Sequence, residues 1–253
     1  SAPQAVPIVD LIPDAADRPY PGGAISIDID ATDLSRGVFR VTETIPVQTG
    51  ARELILLLPE WLPGEHKAAG SIDKLADLHF TVDGQPVQWH RDPVDVYAFH
   101  VSLPEGARAV VARFIHTSPL VPAEGRVTMT PDMLNLQWDK MSLYPAGHYV
   151  RQLRFRPSVT VPAGWTVFTA LDGKTISGSK VTWAEVAYDT LVDSPIFAGA
   201  YARKWDLGRG VSLDVVADKA AQLDLNPTNL ARFRALVDEA LTTFGSRHFD
   251  HYD

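Results

Sequence analysis

A short stretch of alternating residues decides the fold class, ISIDID at residues 25–30. Ile25, Ile27 and Ile29 alternate with polar side chains, so the three isoleucines lie on one face of an extended strand. A period of two residues is typical of a strand that buries one face and exposes the other. The stretch therefore predicts a β-sheet with one face in a hydrophobic core.

The same pattern continues along the chain. Phe39, Val41 and Ile45 alternate with polar residues, although Glu43 interrupts the apolar row. Leu54–Leu58 is continuously apolar, which predicts burial on both faces. Further strands are predicted at 79–82, 87–90, 97–103, 110–116, 134–138, 152–161, 166–171, 181–186, 196–205 and 211–216. Strands at roughly ten-residue spacing favour antiparallel, sandwich-like sheets over βαβ units.

Glycine-containing turns separate several of these strands. Asp83-Gly84, Asp172-Gly173 and Ser177-Gly178-Ser179 are predicted hairpin turns, because glycine tolerates a positive φ. Residues 1–23 are rich in Pro, Asp, Ala and Gly and show no period, so they are predicted to form an extended arm. Residues 24–218 are predicted to be a mainly β domain, an antiparallel sandwich or saddle.

One amphipathic helix is predicted near the end of the chain. Asn226 suits the N-cap, Pro227 the first helical position and Gly245 the residue after the last turn. Its apolar residues recur at three- and four-residue steps and form one stripe, Leu230, Phe233, Val237, Leu241 and Phe244. Either the β domain or a following helical domain must cover such a stripe, and the change in composition near residue 219 favours the following domain. We therefore expect residues 219–253 to begin a following helical domain that packs on the stripe.

Composition and charge exclude several classes of function. The 253 residues carry a formal net charge of −8, whereas nucleic-acid-binding domains are normally basic. The same charge disfavours anionic membrane surfaces, and no apolar run reaches the roughly 18 residues of a membrane span. The absence of cysteine excludes disulfides, zinc-thiolate sites and a cysteine nucleophile. Neither nucleic acid nor membrane is therefore an expected partner.

Motifs of common hydrolases do not occur in these residues. The zinc motif H-E-x-x-H and the serine elbow G-x-S-x-G are both missing. One local cluster of metal-ligand types, His248-Phe249-Asp250-His251, could hold a metal ion if it were helical. Its position beyond Gly245 favours a segment without such a role. No catalytic, metal or cofactor site is therefore predicted in this chain.

The most unusual loop follows the most hydrophobic strand directly, at residues 59–66. Pro63-Gly64 specifies a tight turn, because φ is fixed at the proline and free at the glycine. Trp61 either packs under this turn or lines a cleft, and packing is the favoured interpretation. As a candidate domain-interface or cleft loop we name Trp61, Pro63, Gly64, Glu65 and His66.

Four segments, taken in order, resemble the N-terminal domain of peptidase family M61, the glycyl aminopeptidase-like zinc metallopeptidases. They are WLPG at 61–64, VPAGW at 161–165, YDTLVDSP at 188–195, and FG at 244–245 followed by HFDHY at 248–252. They are similar to the family's W-x-P-G loop, its v-P-x-G-W strand entry, its Y-x-x-L-v-D-s-P segment and its F-G-x-x-P-F-D-x-Y stretch. Glu65-His66 and His248 depart from the family pattern.

This resemblance implies a specific arrangement. The β domain would precede a thermolysin-like catalytic domain that holds zinc and the general base, and the terminal helix would begin that domain. The chain itself would be inactive and would hold no cofactor. It would dock on the catalytic domain, help to wall the substrate cleft, and meet peptide substrates only as part of the complete protein.

Two further expectations complete the sequence-based interpretation. The Pro-rich start of the chain favours an exported bacterial protein, periplasmic or secreted, with a cytoplasmic location as the alternative. An autonomous β-sandwich module that binds carbohydrate or protein is the alternative function. Its stacking platform would come from the tryptophans, Trp61, Trp89, Trp138, Trp165, Trp183 and Trp205.

Overall fold

A computed structural model describes Gln4, residues 9–62, residues 64–119, Val121 and residues 128–253. Nineteen strands lie in this part of the chain: β1 (Ile25–Asp33), β2 (Val38–Pro46), β3 (Glu53–Leu57), β4 (Leu75–Val82), β5 (Gln85–Pro86), β6 (Trp89–Arg91), β7 (Ala98–Ser102), β8 (Ala109–Thr117), β9 (Thr128–Met129), β10 (Met133–Leu136), β11 (Tyr144–Pro145), β12 (Arg154–Thr160), β13 (Thr166–Phe168), β14 (Thr175–Ser177), β15 (Lys180–Thr182), β16 (Val186–Ala187), β17 (Ile196–Gly199), β18 (Tyr201–Gly208) and β19 (Val211–Ala217). The two α-helices are α1 (Tyr188–Val192) and α2 (Pro227–Phe244). Short 3-10 turns lie at Leu34–Arg36, Ile72–Lys74, Trp138–Lys140, Val150–Gln152 and Ala220–Leu223.

The largest sheet has nine strands in the order β14-β15-β12-β1-β2-β8-β4-β5, with β16 beside β12. Its neighbouring strands are antiparallel except for β1 and β12, which run parallel with Ile25 opposite Phe155. Two four-stranded sheets follow the orders β13-β17-β10-β9 and β11-β3-β7-β6. The prediction of a mainly β fold with antiparallel sheets is confirmed, and the β1–β12 pair adds a parallel crossover that it did not include.

The three sheets share one hydrophobic core. Ile25, Ile27 and Ile29 of β1 are at most 1% exposed, which confirms the alternation predicted for this strand. Leu56 of β3 and Ile196 of β17, each from a different four-stranded sheet, belong to the same apolar cluster. Packing sheet faces against one another removes their apolar sides from water and is the main source of stability here.

The apolar run Leu54–Leu58 is buried mainly on one face. Leu56 and Leu58 are at most 1% exposed, whereas Leu54, Ile55 and Leu57 are half-buried. The prediction of burial on both faces is therefore wrong for the face that carries Ile55 and Leu57. The reason is that β3 belongs to a small antiparallel sheet, and one side of such a sheet faces outward.

Two of the three predicted hairpin turns are confirmed. Asp83-Gly84 joins β4 to β5, and both residues have a positive φ, 48° and 78°. Gly178, also at positive φ, joins β14 to β15. Asp172-Gly173 instead leads from β13 to β14, which lie in different sheets. The third prediction is therefore wrong, because a turn signal does not say which strands pair.

Two predicted strands differ from those in the structure, since 87–90 is shortened and 196–205 is divided between two sheets. The segment 87–90 contributes only its end to β6, while β5 closes the preceding hairpin in another sheet. The segment 196–205 is cut at Ala200, so that β17 belongs to a four-stranded sheet and β18 pairs with β19 alone. Hydrogen-bond partners that are distant in sequence decide these breaks.

Helix α2 has the predicted caps. The Asn226 side chain accepts a hydrogen bond from the Thr228 N–H at 2.8 Å, and Gly245 has a left-handed φ of 71°. No residue of α2 is buried. Among the described residues, neither helix combines the length and the hydropathy that crossing a membrane requires.

Candidate functional site

The Trp61 loop exposes its tryptophan. Trp61 is 63% exposed, so the favoured interpretation that it packs under the turn is wrong. Glu65 N–H donates to Leu62 O at 3.1 Å and closes a tight turn, in which Gly64 has a φ of 84°. Pro63 lies outside the described residues. The ring of Trp61 is thus available to another surface.

The base of this loop is held firmly although its tip is exposed. The Glu60 carbonyl accepts hydrogen bonds from the N–H groups of Ala69 at 2.7 Å and Gly70 at 3.1 Å. Lys140 Nζ donates to Ala69 O at 2.5 Å, and Tyr97 Oη donates to Gly70 O at 3.2 Å. A side chain at Gly70 would come within 2.4 Å of the Tyr97 ring, so only glycine fits there. The loop therefore presents Trp61 from a fixed base.

The apolar stripe of α2 is the second exposed apolar feature. Leu230, Val237 and Leu241 are half-buried, whereas Phe233 is 37% exposed and Phe244 is 79% exposed. Partly exposed aromatic residues in a row are typical of a surface that another element covers. No hydrogen bond or ion pair joins α2 to the Trp61 loop within the part of the chain that the structure describes.

Polar contacts hold α2 against the β18–β19 hairpin. Arg234 Nη2 donates to Asp206 O at 3.0 Å, and Arg209 pairs with Asp238 at 3.2 Å. The apolar core cluster of the described residues ends in sequence at Ala198 and includes no residue of this region. We call residues 25–199 the sandwich and residues 201–253 the C-terminal unit.

The segment after α2 folds back onto the hairpin and is not helical. His251 Nδ1 lies 2.6 Å from an Asp253 oxygen, and His251 Nε2 lies 3.2 Å from an oxygen of Asp172 in the sandwich. The hydrogen bond to Asp253 is the main cause that raises the pKa of His251, with Asp172 adding to it. His248-Phe249-Asp250-His251 thus lacks the helical geometry on which the metal hypothesis depended. No group of three His, Asp or Glu side chains could hold a metal ion in the described ranges.

An open cleft of about 640 Å³ lies beside this segment, lined by Lys204, Asp206, Gly210, Val211, Ser212, His251 and Asp253. Most of its charged groups are paired, and Asp206 accepts a hydrogen bond from the Gly208 N–H. Lys204 Nζ lies 2.8 Å from Asp253 and 3.2 Å from Asp214, and Ser212 Oγ donates to Asp253. The cleft is therefore a junction at which residues 251–253 contact the hairpin.

The sequence did not indicate a cluster of polar side chains around the buried His100. His100 of β7 is 2% exposed, with Nε2 at 2.9 Å from Asp92 and Nδ1 at 3.2 Å from Glu53. The His90 ring stacks on His100 with centroids 4.8 Å apart. Hydrogen bonds from the N–H groups of Asp95 and Val94, and then from His100, lower the pKa of Asp92. The cluster joins three strands of one sheet and lines none of the clefts described here.

Two ionisable groups lie in the core of the sandwich. Glu43 is fully buried, and its Oε2 accepts a hydrogen bond from the Leu143 N–H at 2.9 Å, while Oε1 has no partner among the described residues. Burial raises the pKa of Glu43 well above its ordinary value. Burial, with Lys140 as a second cause, lowers the pKa of His116 to about 4. Both groups are therefore held neutral, as a hydrophobic core requires.

One solved structure has the same fold as this chain, and a second is more distantly similar. The aminopeptidase N family protein from Idiomarina loihiensis has a TM-score of 0.70 and 18% sequence identity, over 90% of this chain and 38% of that protein. An M1 zinc metallopeptidase from Deinococcus radiodurans matches 83% of this chain and 51% of that chain, with a TM-score of 0.43 and 14% identity. A comparison with curated proteins gives no match. The fold is thus found within the longer Idiomarina protein, and this chain spans 38% of that protein and 51% of the Deinococcus one.

The family follows from the sequence itself. The Peptidase M61 N-terminal domain matches residues 26–200, which is most of the chain. The chain therefore belongs to peptidase family M61, and the resemblance drawn from the four ordered segments is confirmed.

Proposed function

We propose that this chain is the non-catalytic N-terminal part of a zinc-dependent aminopeptidase or related metallopeptidase. The observation that carries this proposal is the match of residues 26–200 to the N-terminal domain of family M61. The similar Idiomarina protein is much longer than the matched region, which spans 38% of it. In this proposal the peptide-bond hydrolysis belongs to a catalytic domain outside residues 1–253.

The two exposed apolar features supply the docking surface in this proposal. Leu230, Phe233, Val237, Leu241 and Phe244 would pack on the catalytic domain. Trp61, Gly64, Glu65 and His66, on their fixed loop base, would help to wall the substrate cleft. Large exposed aromatic side chains are the residues that contribute most to protein interfaces, which supports this assignment.

Zinc would lie in the catalytic domain. Within the described residues, His251 has both ring nitrogens bound to carboxylates, and His100 lies buried between two others. No three ligand-type side chains there converge on a point where a zinc ion would fit. The described residues therefore do not suit the metal, and no catalytic step is assigned to them.

Metal analysis and an aminoacyl-anilide assay test the proposal directly. We expect the purified 253-residue chain to bind no stoichiometric zinc and to release no aniline. The product of the complete gene should contain about one zinc per chain and should lose its activity to a chelator. Zinc-dependent turnover by the 253-residue chain alone would overturn the proposal.

A pair of charge substitutions in the complete gene product tests the docking surface. Phe233→Glu places a charge on the apolar stripe, so we expect lower activity and a lower Tm. Arg232→Glu changes charge on the polar face of the same helix and serves as the matched control. Equal effects of the two substitutions, or no effect of Phe233→Glu, would contradict docking through this stripe.

The autonomous binding module has less support. Trp138 is fully buried, Trp183 is 6% exposed, and the rings of Trp89 and Trp165 pack against the core. The Trp205 ring is covered by the Arg203 guanidinium at 4.9 Å. Trp61 alone is largely exposed, and one ring makes no platform for a sugar chain.

An exported, periplasmic or secreted location belongs to the proposal as well. It is supported by the Pro-rich start of the chain. Cell fractionation with an antibody against the sandwich would test it, and recovery in the cytoplasmic fraction alone would contradict it.

A further inference from the structure

The β18–β19 hairpin has one edge that is only partly paired. β18 occupies one edge of β19 over its whole length. On the other edge, Ser212 N–H donates to Tyr252 O at 2.9 Å, and Tyr252 N–H donates to Gly210 O at 2.9 Å. Val211 and Tyr252 thus form a parallel bridge. Tyr252 is placed as the first residue of a third strand.

Side chains fix the register of this strand. Asp253 Oδ1 accepts hydrogen bonds from Ser212 Oγ at 2.5 Å and from Lys204 Nζ at 2.8 Å. Lys204 also pairs with Asp214, so these groups lie on one face of the hairpin. The Asp253 side chain is 14% exposed and that of Asp214 is 8% exposed. Such a desolvated cluster tolerates little slippage along β19.

The backbone groups of Asp214, two residues after Ser212 on this edge of β19, are not paired there by any described residue. Main-chain groups of a strand point alternately to its two neighbours, and Ser212 points to Tyr252. The N–H and C=O of Asp214 must therefore point to the same edge, whereas those of Val215 point to β18. No described residue pairs with Asp214 on that edge. An open edge of this kind is a template for another strand.

We infer that this edge of β19 receives, as a parallel strand, the segment that follows Asp253 in the longer protein. The inference rests on the proposed function, which requires such a segment. The occupant is the chain's own continuation because Tyr252 and Asp253 already set its position, direction and register. The hairpin, α2 and this strand then form the start of the second domain.

The inference moves the domain boundary. The core cluster ends at Ala198, the family match ends at residue 200, and β18 begins at Tyr201. The boundary that these three observations favour is therefore near residue 200. The boundary predicted from the change in composition, between residues 218 and 219, would leave the hairpin in the wrong domain.

Amide hydrogen exchange tests the inference without zinc or substrate. The 253-residue chain is compared with a chain extended by about eight residues as the gene encodes them, roughly one strand. We expect the Asp214 amide to exchange at least about tenfold more slowly in the extended chain. The Val215 amide, which faces β18, is the internal control and should not change.

Three outcomes would overturn the inference. The first is equal exchange of the Asp214 amide in the two chains. The second is protection of Asp214 that rises with concentration in the 253-residue chain, because a second copy would then be the occupant. The third is a gene that ends at Asp253. A complete protein without zinc or activity, but with Asp214 protected, would instead contradict the proposed function alone.

A substitution provides an independent check. Tyr252→Pro removes the N–H that donates to Gly210, and Tyr252→Phe retains it and serves as the control. We expect the proline variant to lose protection at Ser212 in the short chain and at Asp214 in the extended chain. Retained protection in the proline variant would show that Tyr252 does not start the strand.

Discussion

Two regions of the molecule bury their apolar side chains to very different extents. The sandwich contributes every member of the core cluster, including large side chains such as Trp138 and Phe155 that are not exposed at all. In the C-terminal unit the buried apolar residues are Leu207, Ala217 and Leu223, each 8–9% exposed. The sandwich therefore has its own source of stability, whereas the C-terminal unit buries little apolar surface and is held to a larger extent by polar contacts.

A pair of substitutions by alanine, one in each region, should give the largest difference in the free energy of unfolding. Phe155→Ala removes a fully buried ring that stacks on Tyr188, so we expect the free energy of unfolding to fall by about 3–5 kcal/mol. Phe244→Ala, on the exposed stripe, should change it by less than about 0.5 kcal/mol. Urea denaturation measures both. Similar losses for the two variants would mean that the stripe is covered in solution.

Acid should destabilise the sandwich through His116. Its pKa of about 4 lies below the 6.5 of an unfolded chain, so between these pH values the unfolded state binds more protons. The contribution of His116 to the free energy of unfolding is therefore fully present above pH 6.5. It declines by about 3 kcal/mol as the pH falls to 4.

His116→Leu should flatten this pH profile in denaturant titrations. His79→Gln, at an exposed position of β4, is the control and should leave the profile unchanged. An unchanged slope in His116→Leu would rule out His116 as the cause.

Glu43 should act in the opposite direction. Its raised pKa means that the folded state holds a proton that the unfolded state releases, so stability is lost as the pH rises above the ordinary carboxyl range. Glu43→Gln keeps an acceptor for the Leu143 N–H and cannot ionise. We expect it to be more stable than the parent at pH 8 by on the order of 1–3 kcal/mol. Equal stability of the two proteins at pH 8 would show that a buried water or a shift of the core satisfies the ionised carboxylate.

The cap of α2 should matter only within the C-terminal unit. Asn226→Ala removes the acceptor of the Thr228 N–H, which costs about 1 kcal/mol of helix stability. We expect faster hydrogen exchange in α2 and unchanged exchange in β1 and β2. Asn229→Ala, inside the first turns of the same helix, is the control. Faster exchange in β1 would contradict the separation of the two regions.

The smallest of these effects concerns His251, which joins the C-terminal unit to the sandwich through Asp172. His251 is partly exposed, and its raised pKa depends first on Asp253 and only then on Asp172 of the sandwich. The charged His251 ring therefore stabilises the fold below the ordinary pKa of histidine, and this stabilisation is lost as the pH rises through the pKa of the folded state. Solvent screening keeps it below about 1 kcal/mol. NMR titration should show a larger fall in the His251 pKa for Asp253→Asn than for Asp172→Asn. The reverse order would show that the sandwich contact dominates.

The local parts of the fold could be predicted from the sequence. The alternation of Ile25, Ile27 and Ile29 depends only on the period of a strand, and the caps Asn226 and Gly245 depend only on helix ends. The family was also recognisable, because its segments are local motifs. These signals lie within a few residues of the structure that they predict.

The contacts that the sequence did not indicate join residues that are far apart along the chain. Glu43 looked like an interruption of an apolar row, yet its partner is the Leu143 N–H, a hundred residues later. His100 meets Asp92 and Glu53 only because β3, β6 and β7 share a sheet. Trp61 was expected to be buried because most tryptophans are, yet its ring is 63% exposed, and the local sequence does not indicate this.

The parallel pairing of β1 with β12 has a consequence for synthesis on the ribosome. Ser158 of β12 donates to Ile27 O of β1 across 131 residues of sequence. At the usual rate of translation, β1 waits roughly 7 to 26 s before β12 has emerged. During this interval the nascent chain exposes an isoleucine-rich edge to other chains. Until β12 pairs with it, this edge of β1 is a template for strands of other chains, and a chaperone that covers nascent chains would protect it.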